Sequence, residues 1–339
     1  MNIAHIIPYS IGYPLKTHNG RYDWVHDIAV KQAQQGHTVT IYGSPHSSVE
    51  GVTTKGISDA TDDTKQNNTQ TFRLAFAADH EVYHSHFDNL HYAVADETTR
   101  PIVFTQHWWP TDETILAARA FAERAVPQNV WAVPPTQFMY ERDQTAGIQS
   151  RGYIYHGTDL SFFHPSDAPR GNRLLFVGRI SPEKNLDLAI HVALKAQVPL
   201  DIIGKVAPKN EAYWQTLLPL IDGESIRYLG AKSHAELVDY YGTARGVLFP
   251  SDINEPFGLV AIEAQACGTP VMMKRGGSRG ELIKEGVTGF LCNDEHEFVS
   301  AIPLLDGIKK EDCIASAQRF NEETMVQAYS QLYETLTKS

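Results

Sequence analysis

The stretch Gly246–Gly268, GVLFPSDINEPFGLVAIEAQACG, decides how this chain folds. Its opening, Gly246-Val247-Leu248-Phe249-Pro250-Ser251, is short and apolar and stops at a proline, the pattern of a buried parallel strand. Further on, Val260, Ala261, Ala264 and Cys267 recur at helical spacing, and Gly268 stands where helices commonly end. Glu255-Pro256-Phe257-Gly258-Leu259-Val260-Ala261-Ile262-Glu263 therefore bridges the carboxyl end of a strand and the amino end of a helix. In a doubly wound α/β domain, ligands bind in that crevice, and the helix terminus offers N–H groups and a positive dipole end to a phosphate. Glu255 falls in the loop, and Glu263 sits roughly 1.5 Å × 5 further along the helix. Two carboxylates so placed suit a ligand that carries both hydroxyls and phosphate.

The same alternation extends to both sides. Ile3-Ala4-His5-Ile6-Ile7 reads as a strand, followed by a polar loop from Pro8 to Gly20 and a helix that turns Trp24, Val25, Ile28 and Ala29 to one side. Gly36 ends it, and Thr38-Val39-Thr40-Ile41-Tyr42 is the next strand, so the chain opens on a βαβ unit. Residues 43–71 are rich in Ser, Thr, Asp, Asn and Gly and read mostly as loop, with one short strand at most. Strands follow at 81–84, 102–105 and 130–133, with a helix over 111–125. The run His164-Pro165-Ser166-Asp167-Ala168-Pro169-Arg170-Gly171-Asn172 has the character of a linker. Beyond it the alternation restarts with a strand at 174–177, a helix over 185–196, strands at 200–203 and 226–229, and a helix over 235–244. Two successive βα arrays predict an α/β protein of two Rossmann-like domains, in keeping with 339 residues and about 150 per domain.

Composition narrows the function classes. A formal charge of -11 gives no general attraction to nucleic acid. Cys267, Cys292 and Cys313 are odd in number and lack CxxC spacing, so neither a disulfide framework nor a zinc site is indicated, and a cytoplasmic location fits. No run approaches about 18 apolar residues, and no basic leader precedes the first strand. His84-Ser85-His86 places two imidazoles on one strand face, only half of a metal site, so its reading is structural.

The turn Gly178-Arg179-Ile180-Ser181-Pro182-Glu183-Lys184-Asn185 follows the first strand of the second array. Gly178 permits close backbone approach, and Arg179 and Lys184 offer two cations for a diphosphate. There is no Walker loop and no G-x-G-x-x-G after the first strand, which disfavours a P-loop kinase and a conventional NAD site.

Gly178-Arg179 with Lys184, Pro250-Ser251, the E-x7-E segment, Glu263-Ala264-Gln265-Ala266-Cys267-Gly268-Thr269-Pro270-Val271, Gly276-Gly277, Glu281 and Gly286-Val287-Thr288-Gly289-Phe290 together resemble the donor half of a retaining glycosyltransferase of family 4. Gly20, Gln35-Gly36-His37 and Thr105-Gln106-His107 resemble that family's more variable acceptor half, and Ile154-Tyr155-His156-Gly157-Thr158-Asp159 its signature ahead of the linker. The resemblance implies the GT-B fold, two Rossmann-like domains facing each other across a deep cleft. An acceptor-side domain would span 1–165 and a nucleotide-sugar domain 170–322, with a terminal helix over 323–339 crossing back to the first.

By the same resemblance Arg179 and Lys184 would hold the donor diphosphate, and Glu263 the ribose hydroxyls. Glu255, with the backbone N–H groups of Phe257, Gly258 and Leu259, would orient the transferred sugar. His107 would reach that sugar, and Gly20 would let a loop approach the phosphates. The implied reaction moves a hexose, with UDP-glucose the first expectation, by a same-face substitution that needs no metal and no cofactor. The acceptor is left open among a saccharide, a lipid-linked intermediate and a natural-product hydroxyl; a lipid-linked one implies a peripheral membrane location. The helix over 111–125 mixes acids with Arg119 and Arg124 and lacks a basic membrane face, which favours a soluble acceptor. His156 stands where the family usually has Asn, and Lys274, Arg275 and Arg279 either add phosphate contacts or are solvated. Two other readings are a catalytically silent nucleotide-sugar-binding subunit, disfavoured by the joint presence of His107, Arg179, Lys184, Glu255 and Glu263, and another GT-B enzyme such as a nucleotide-sugar epimerase.

Overall fold

A computed structural model describes residues 1–15, 20–126, 128–251 and 255–338. The chain divides into two compact units, Met1–Tyr155 together with the segment from Glu323 onward, and His156–Glu322. The first holds six strands, β1 (Asn2–Ile6), β2 (Thr38–Gly43), β3 (Thr53–Gly56), β4 (Val82–Ser85), β5 (Ile102–Thr105) and β6 (Val130–Val133), in the order β3-β2-β1-β4-β5-β6. The second repeats that plan with β7 (Leu174–Val177), β8 (Leu200–Ile203), β9 (Ile226–Tyr228), β10 (Gly246–Phe249), β11 (Val271–Lys274) and β12 (Gly289–Cys292), in the order β12-β11-β10-β7-β8-β9. Every pairing between these strands is parallel. Each unit is thus a Rossmann-like doubly wound sheet, whose strand order reverses at β1/β4 in one and at β7/β10 in the other.

Residues alternate between the two faces of each sheet. In the first unit Ile3, Val39, Ile41, Val82 and Val103 join one core with Val25 and Ile28, while Ala4, Ile6, Tyr42, Tyr83 and Phe104 join the other with Phe72. The terminal helix Glu322–Lys338 seats Val326, Tyr329 and Tyr333 in the first of these cores. In the second unit Leu174, Phe176, Leu200, Ile202, Leu248 and Met272 pack with Leu186, Ile190 and Phe298.

Two details differ from the sequence reading. The units divide after Tyr155, ahead of the Pro/Gly-rich 164–172 stretch. The segment after the division is tied to the end of the second unit, since Thr158 N–H donates to Phe320 O at 2.9 Å and Glu322 N–H to Thr158 O at 3.1 Å. Gly157 lies so near the Glu322 backbone that a Cβ would come within 2.5 Å of Glu322 Cα. Within 43–71, besides β3, a helix runs Thr64–Phe76, started by Asp63, whose side chain accepts from Gln66 N–H. Its buried face includes Asn67 and Thr71 beside Phe72 and Ala75, which is why apolar periodicity did not reveal it. Helices Gln137–Ala146 and Glu211–Leu217 were likewise unread.

Candidate active site

The second unit's switch point brings together the turn after β7 and the loop after β10. Lys184 Nζ is ion-paired with Glu255 Oε2, the two side chains being 14% and 24% exposed. The ammonium also lies 5.5 Å from the centre of the Phe249 ring. Asn185, held in the left-handed region at φ 51°, donates from Nδ2 to Pro250 O at 3.0 Å and so pins the same two loops together. Arg179 does not join this pair. It is half-exposed, 3.5 Å from an equally exposed Glu183, a surface ion pair of little energetic weight. A Cβ at Gly204 would sit 1.8 Å from Gly178 O, so Gly204 lets the two loops approach closely, while one at Gly178 would meet protein atoms no nearer than 3.8 Å.

Glu263 is buried in the helix Leu259–Ala266, and the Tyr241 hydroxyl donates to its Oε2 at 2.8 Å. Tyr241, fully buried in the helix His234–Thr243, has its phenol pushed up by burial first and by Glu263 second, so it stays a donor. Gly258 precedes the helix at φ 125°, a conformation that side chains rarely adopt. Phe257 is buried, with its ring against those of His156 at 5.3 Å and Phe320 at 5.6 Å, so it anchors the turn that carries its own N–H and those of Gly258 and Leu259. Residues 252–254 lie outside the described chain, but both flanks of that segment are held. Arg279, only 1% exposed, donates to Ser251 O at 2.9 Å and Lys274 O at 3.2 Å, and Ser278 Oγ to Pro256 O at 2.9 Å. Arg279 is therefore not solvated: it is a buried brace across the ends of β10 and β11. Arg275 pairs with Glu285 at 2.8 Å. His156 is buried, and burial takes its imidazole down to about 3.

In the first unit the corresponding switch point is built of histidines. His5 lies level with His84 in the β1/β4 pairing, and the ring nitrogens of His5, His84 and His86 fall within 4.8 Å of one another. The third imidazole thus arrives from the neighbouring strand. The six nitrogens are already engaged, however. His5 meets Gln32 Oε1 at 2.8 Å and His86 Nε2 at 3.0 Å, and His84 meets Thr105 Oγ1 at 2.8 Å and the Tyr333 hydroxyl at 2.6 Å. His86 Nδ1 meets His107 Nε2 at 3.1 Å. The cluster is a hydrogen-bonded network of neutral rings, burial holding His5 down to about 4 and His84 and His86 well below the usual range.

His107 itself is half-buried, its ring 5.2 Å from Trp24 and edge-on to it. Next to it Trp108 is 51% exposed, with the Arg21 guanidinium 5.9 Å from its ring and paired with Asp88 at 3.0 Å. Gly20 opens the helix Gly20–Gln34, and a Cβ there would meet no described atom within 4 Å. Gln106 Nε2 donates to the buried Asp143 at 3.1 Å, yet burial dominates and raises that carboxyl to about 7. Sequence reasoning missed Tyr241 and Asp143, because each acts through a partner distant in sequence.

Two doubly wound sheets, each with charged or titratable side chains gathered where its strand order reverses, define a GT-B protein. Residues 161–320 match the family model for "Glycosyl transferases group 1". That match lies within the second unit, His156–Glu322. It is 30% identical over 255 residues to a D-inositol 3-phosphate glycosyltransferase of Mycobacterium sp. (strain KMS), a match over 64% of this chain and 56% of that protein. The Mycolicibacterium smegmatis protein of that name is 31% identical over 252 residues, or 64% and 57% of the two chains. The chain thus spans about half the length of the curated relatives it matches. Among solved structures it resembles sucrose-phosphate synthase from Thermosynechococcus elongatus (TM-score 0.80, 21% identity, 98% of each chain). It also resembles Anabaena HepE in complex with UDP (TM-score 0.80, 18% identity, 99% of this chain and 100% of that one).

Proposed function

We propose that the chain is a retaining glycosyltransferase that moves a hexose, glucose from UDP-glucose first among them, to an acceptor hydroxyl without a metal or other cofactor. One observation carries the reading: at the β7/β10 switch point a cation and two acids stand ready, each fixed by a partner, Lys184 by Glu255 and Glu263 by Tyr241. A diphosphate competes with Glu255 for Lys184, and the carboxylate it releases turns to the sugar hydroxyls. Lys184 and the exposed Arg179 then stabilise the charge that develops on the departing phosphate. Glu263 takes the ribose, and the N–H groups of Phe257, Gly258 and Leu259 take the distal phosphate.

In the reaction the bond from the anomeric carbon to the phosphate oxygen breaks and the acceptor oxygen bonds on the same face. The acceptor proton passes to the leaving phosphate. Glu255 positions the sugar and forms no covalent bond. His107 and Gly20 are the first unit's contributions to donor handling. A saccharide acceptor is favoured by the exposed Trp108 beside the Arg21–Asp88 pair, an apolar face next to hydrogen-bonding groups. A cytoplasmic setting is favoured by three buried free thiols, and no described helix is long and apolar enough to cross a membrane.

The test is a donor screen by thermal shift, followed by UDP release over a broad acceptor panel and the anomeric configuration of the product by NMR. Turnover with a retained anomer is expected. Tight donor binding without turnover on any acceptor would establish a silent binding subunit instead, and an inverted product would overturn retention.

A further inference from the structure

The helix Gln137–Ala146 grips the loop after β5 at two points. Gln106 Nε2 donates to Asp143 Oδ1 at 3.1 Å, and the ring of Trp109 lies 5.7 Å from that of Phe138, with the Arg142 guanidinium 5.0 Å from its centre. His107 and Trp108 stand between the two grips. At the first of them Gln106 is 5% exposed and Asp143 1%. Two more of its atoms, Asp143 Oδ2 and Gln106 Oε1, are buried with no hydrogen-bond partner among the described residues.

Both of these atoms are acceptors while Asp143 is ionised. An amide presents one donor and one acceptor and a carboxylate two acceptors, so the two groups make a single hydrogen bond and leave two oxygens facing no donor. A carboxylic acid presents one of each and is the amide's complement. One hydrogen on Oδ2 donates to Gln106 Oε1 while Oδ1 goes on accepting from Nε2, and both buried oxygens are satisfied. Turning the amide over exchanges its nitrogen and oxygen and moves that hydrogen to Oδ1, but leaves it on Asp143. The proton therefore belongs to Asp143 whichever way the amide is set.

The charged and titratable groups that face Asp143 are the Arg142 guanidinium, from its own helix, and the Tyr92 phenol, from the helix Leu90–Val94. Tyr92 is pushed up by burial first and by Asp143 second, and stays neutral. For Asp143 burial outweighs both the Gln106 N–H and Arg142, and its carboxyl stands at about 7. Loss of the hydrogen sets a charged oxygen against a carbonyl oxygen in a buried place, which drives the amide away.

We propose that Asp143, as a carboxylic acid, closes a ring of two hydrogen bonds with Gln106 and is thereby a positioning residue for the loop that carries His107 and Trp108, which it releases on ionising. The effect on turnover rests on the reading of His107 and Trp108 given above; the ring does not. Carbon-13 NMR of the full chain with carboxyl-labelled aspartate, assigned through Asp143→Asn, reports the proton directly. The wild type is expected to show a protonated Asp143 at about pH 6 that titrates with a midpoint of about 7. The indole N–H signals of Trp108 and Trp109 are expected to move with that midpoint. In Asp143→Asn an amide faces an amide, both hydrogen bonds persist without a titrating proton, and the indole signals should hold their low-pH positions. The ratio of wild-type to Asp143→Asn kcat/KM for the acceptor is expected to fall about tenfold from about pH 6 to about pH 8.5. Gln106→Met removes the amide and should set the indole signals near their alkaline positions at both pH values.

An Asp143 ionised at about pH 6, indole signals that do not move with it, or indole signals that titrate equally in Asp143→Asn overturn the proposal. A flat rate ratio with the carboxyl and the indoles titrating together upholds the ring and removes His107 and Trp108 from the reaction, so the two failures are distinguishable.

Discussion

Mild acid should destabilise the first unit through its buried histidines. Four of its histidines are buried and neutral: His5 is held down to about 4, His91 to about 3, and His84 and His86 well below the usual 6.5, in every case by burial first. Once the chain unfolds, each takes up a proton below pH 6.5 that the native state refuses. Stability therefore rises with pH through that range and is lost as pH falls below 6.5. One unit of pH is worth a little over 1 kcal/mol per group, so moving from about pH 7.5 to about pH 5.5 costs on the order of 5 kcal/mol for the four. Asp143 opposes them. Its carboxyl, raised to about 7, binds a proton in the folded state that the unfolded chain releases, and returns roughly 2 kcal/mol over the same interval. The net loss is on the order of 3 kcal/mol, a large part of a domain's usual 5–15 kcal/mol. His37 and His80, also lowered by burial, add to the loss.

Urea titrations at the two pH values measure this, with circular dichroism resolving the two units as separate transitions if they unfold independently. His91→Phe isolates one term, because the ring already stacks on Phe104 at 4.0 Å and keeps only a 3.3 Å contact to Ser85 Oγ. This variant should lose about 1 kcal/mol less than the wild type between the two conditions. A first-unit stability that is flat over the interval, or a His91→Phe protein as acid-sensitive as the wild type, would refute the reasoning.

Three further outcomes are expected. Asp143→Asn removes the buried charge at constant shape and should stabilise the first unit by on the order of 1 kcal/mol or more above pH 7, while making its acid loss steeper, both read by the same titrations. Lys184→Met should cut kcat by about 10²-fold or more, by loss of leaving-group stabilisation, whereas Tyr241→Phe should mainly weaken donor binding by about three- to tenfold, the worth of one hydrogen bond to Glu263; steady-state kinetics and donor titration separate the two. Trp108→Ala should raise the acceptor KM and leave donor affinity unchanged, since the side chain is exposed and supports nothing in the core.

What could be read from the sequence and what could not divide along a physical line. Strands β1, β2, β7, β8 and β10 announce themselves because the buried strands of a parallel sheet are short, nearly continuous apolar runs. The helix Thr64–Phe76 escapes because Asn67 and Thr71 occupy its inward face. At the site, residue type and position relative to a strand end located Lys184, Glu255 and Glu263, but not what each one touches. Lys184 and Glu255 are 71 positions apart, and Tyr241 and Glu263 are 22 apart. Periodicity is a property of neighbours along the chain and holds no information about such pairs.

Strand order does hold some. In a doubly wound sheet the first and fourth strands lie side by side at the reversal point, and both enter from the same edge. His5 stands one residue before the end of β1, and His84 one before the end of β4, so equal ends put the two level, as the pairing of His5 with His84 records. The short motif His84-Ser85-His86 was half a site only while it was taken along one strand. Placed beside its topological neighbour, it brings a third imidazole, and His86, just beyond the strand, turns toward the loop after β5 that carries His107. The histidine row is therefore a consequence of the strand order, and applying that order to side chains at the β1/β4 junction would have predicted it before any coordinates.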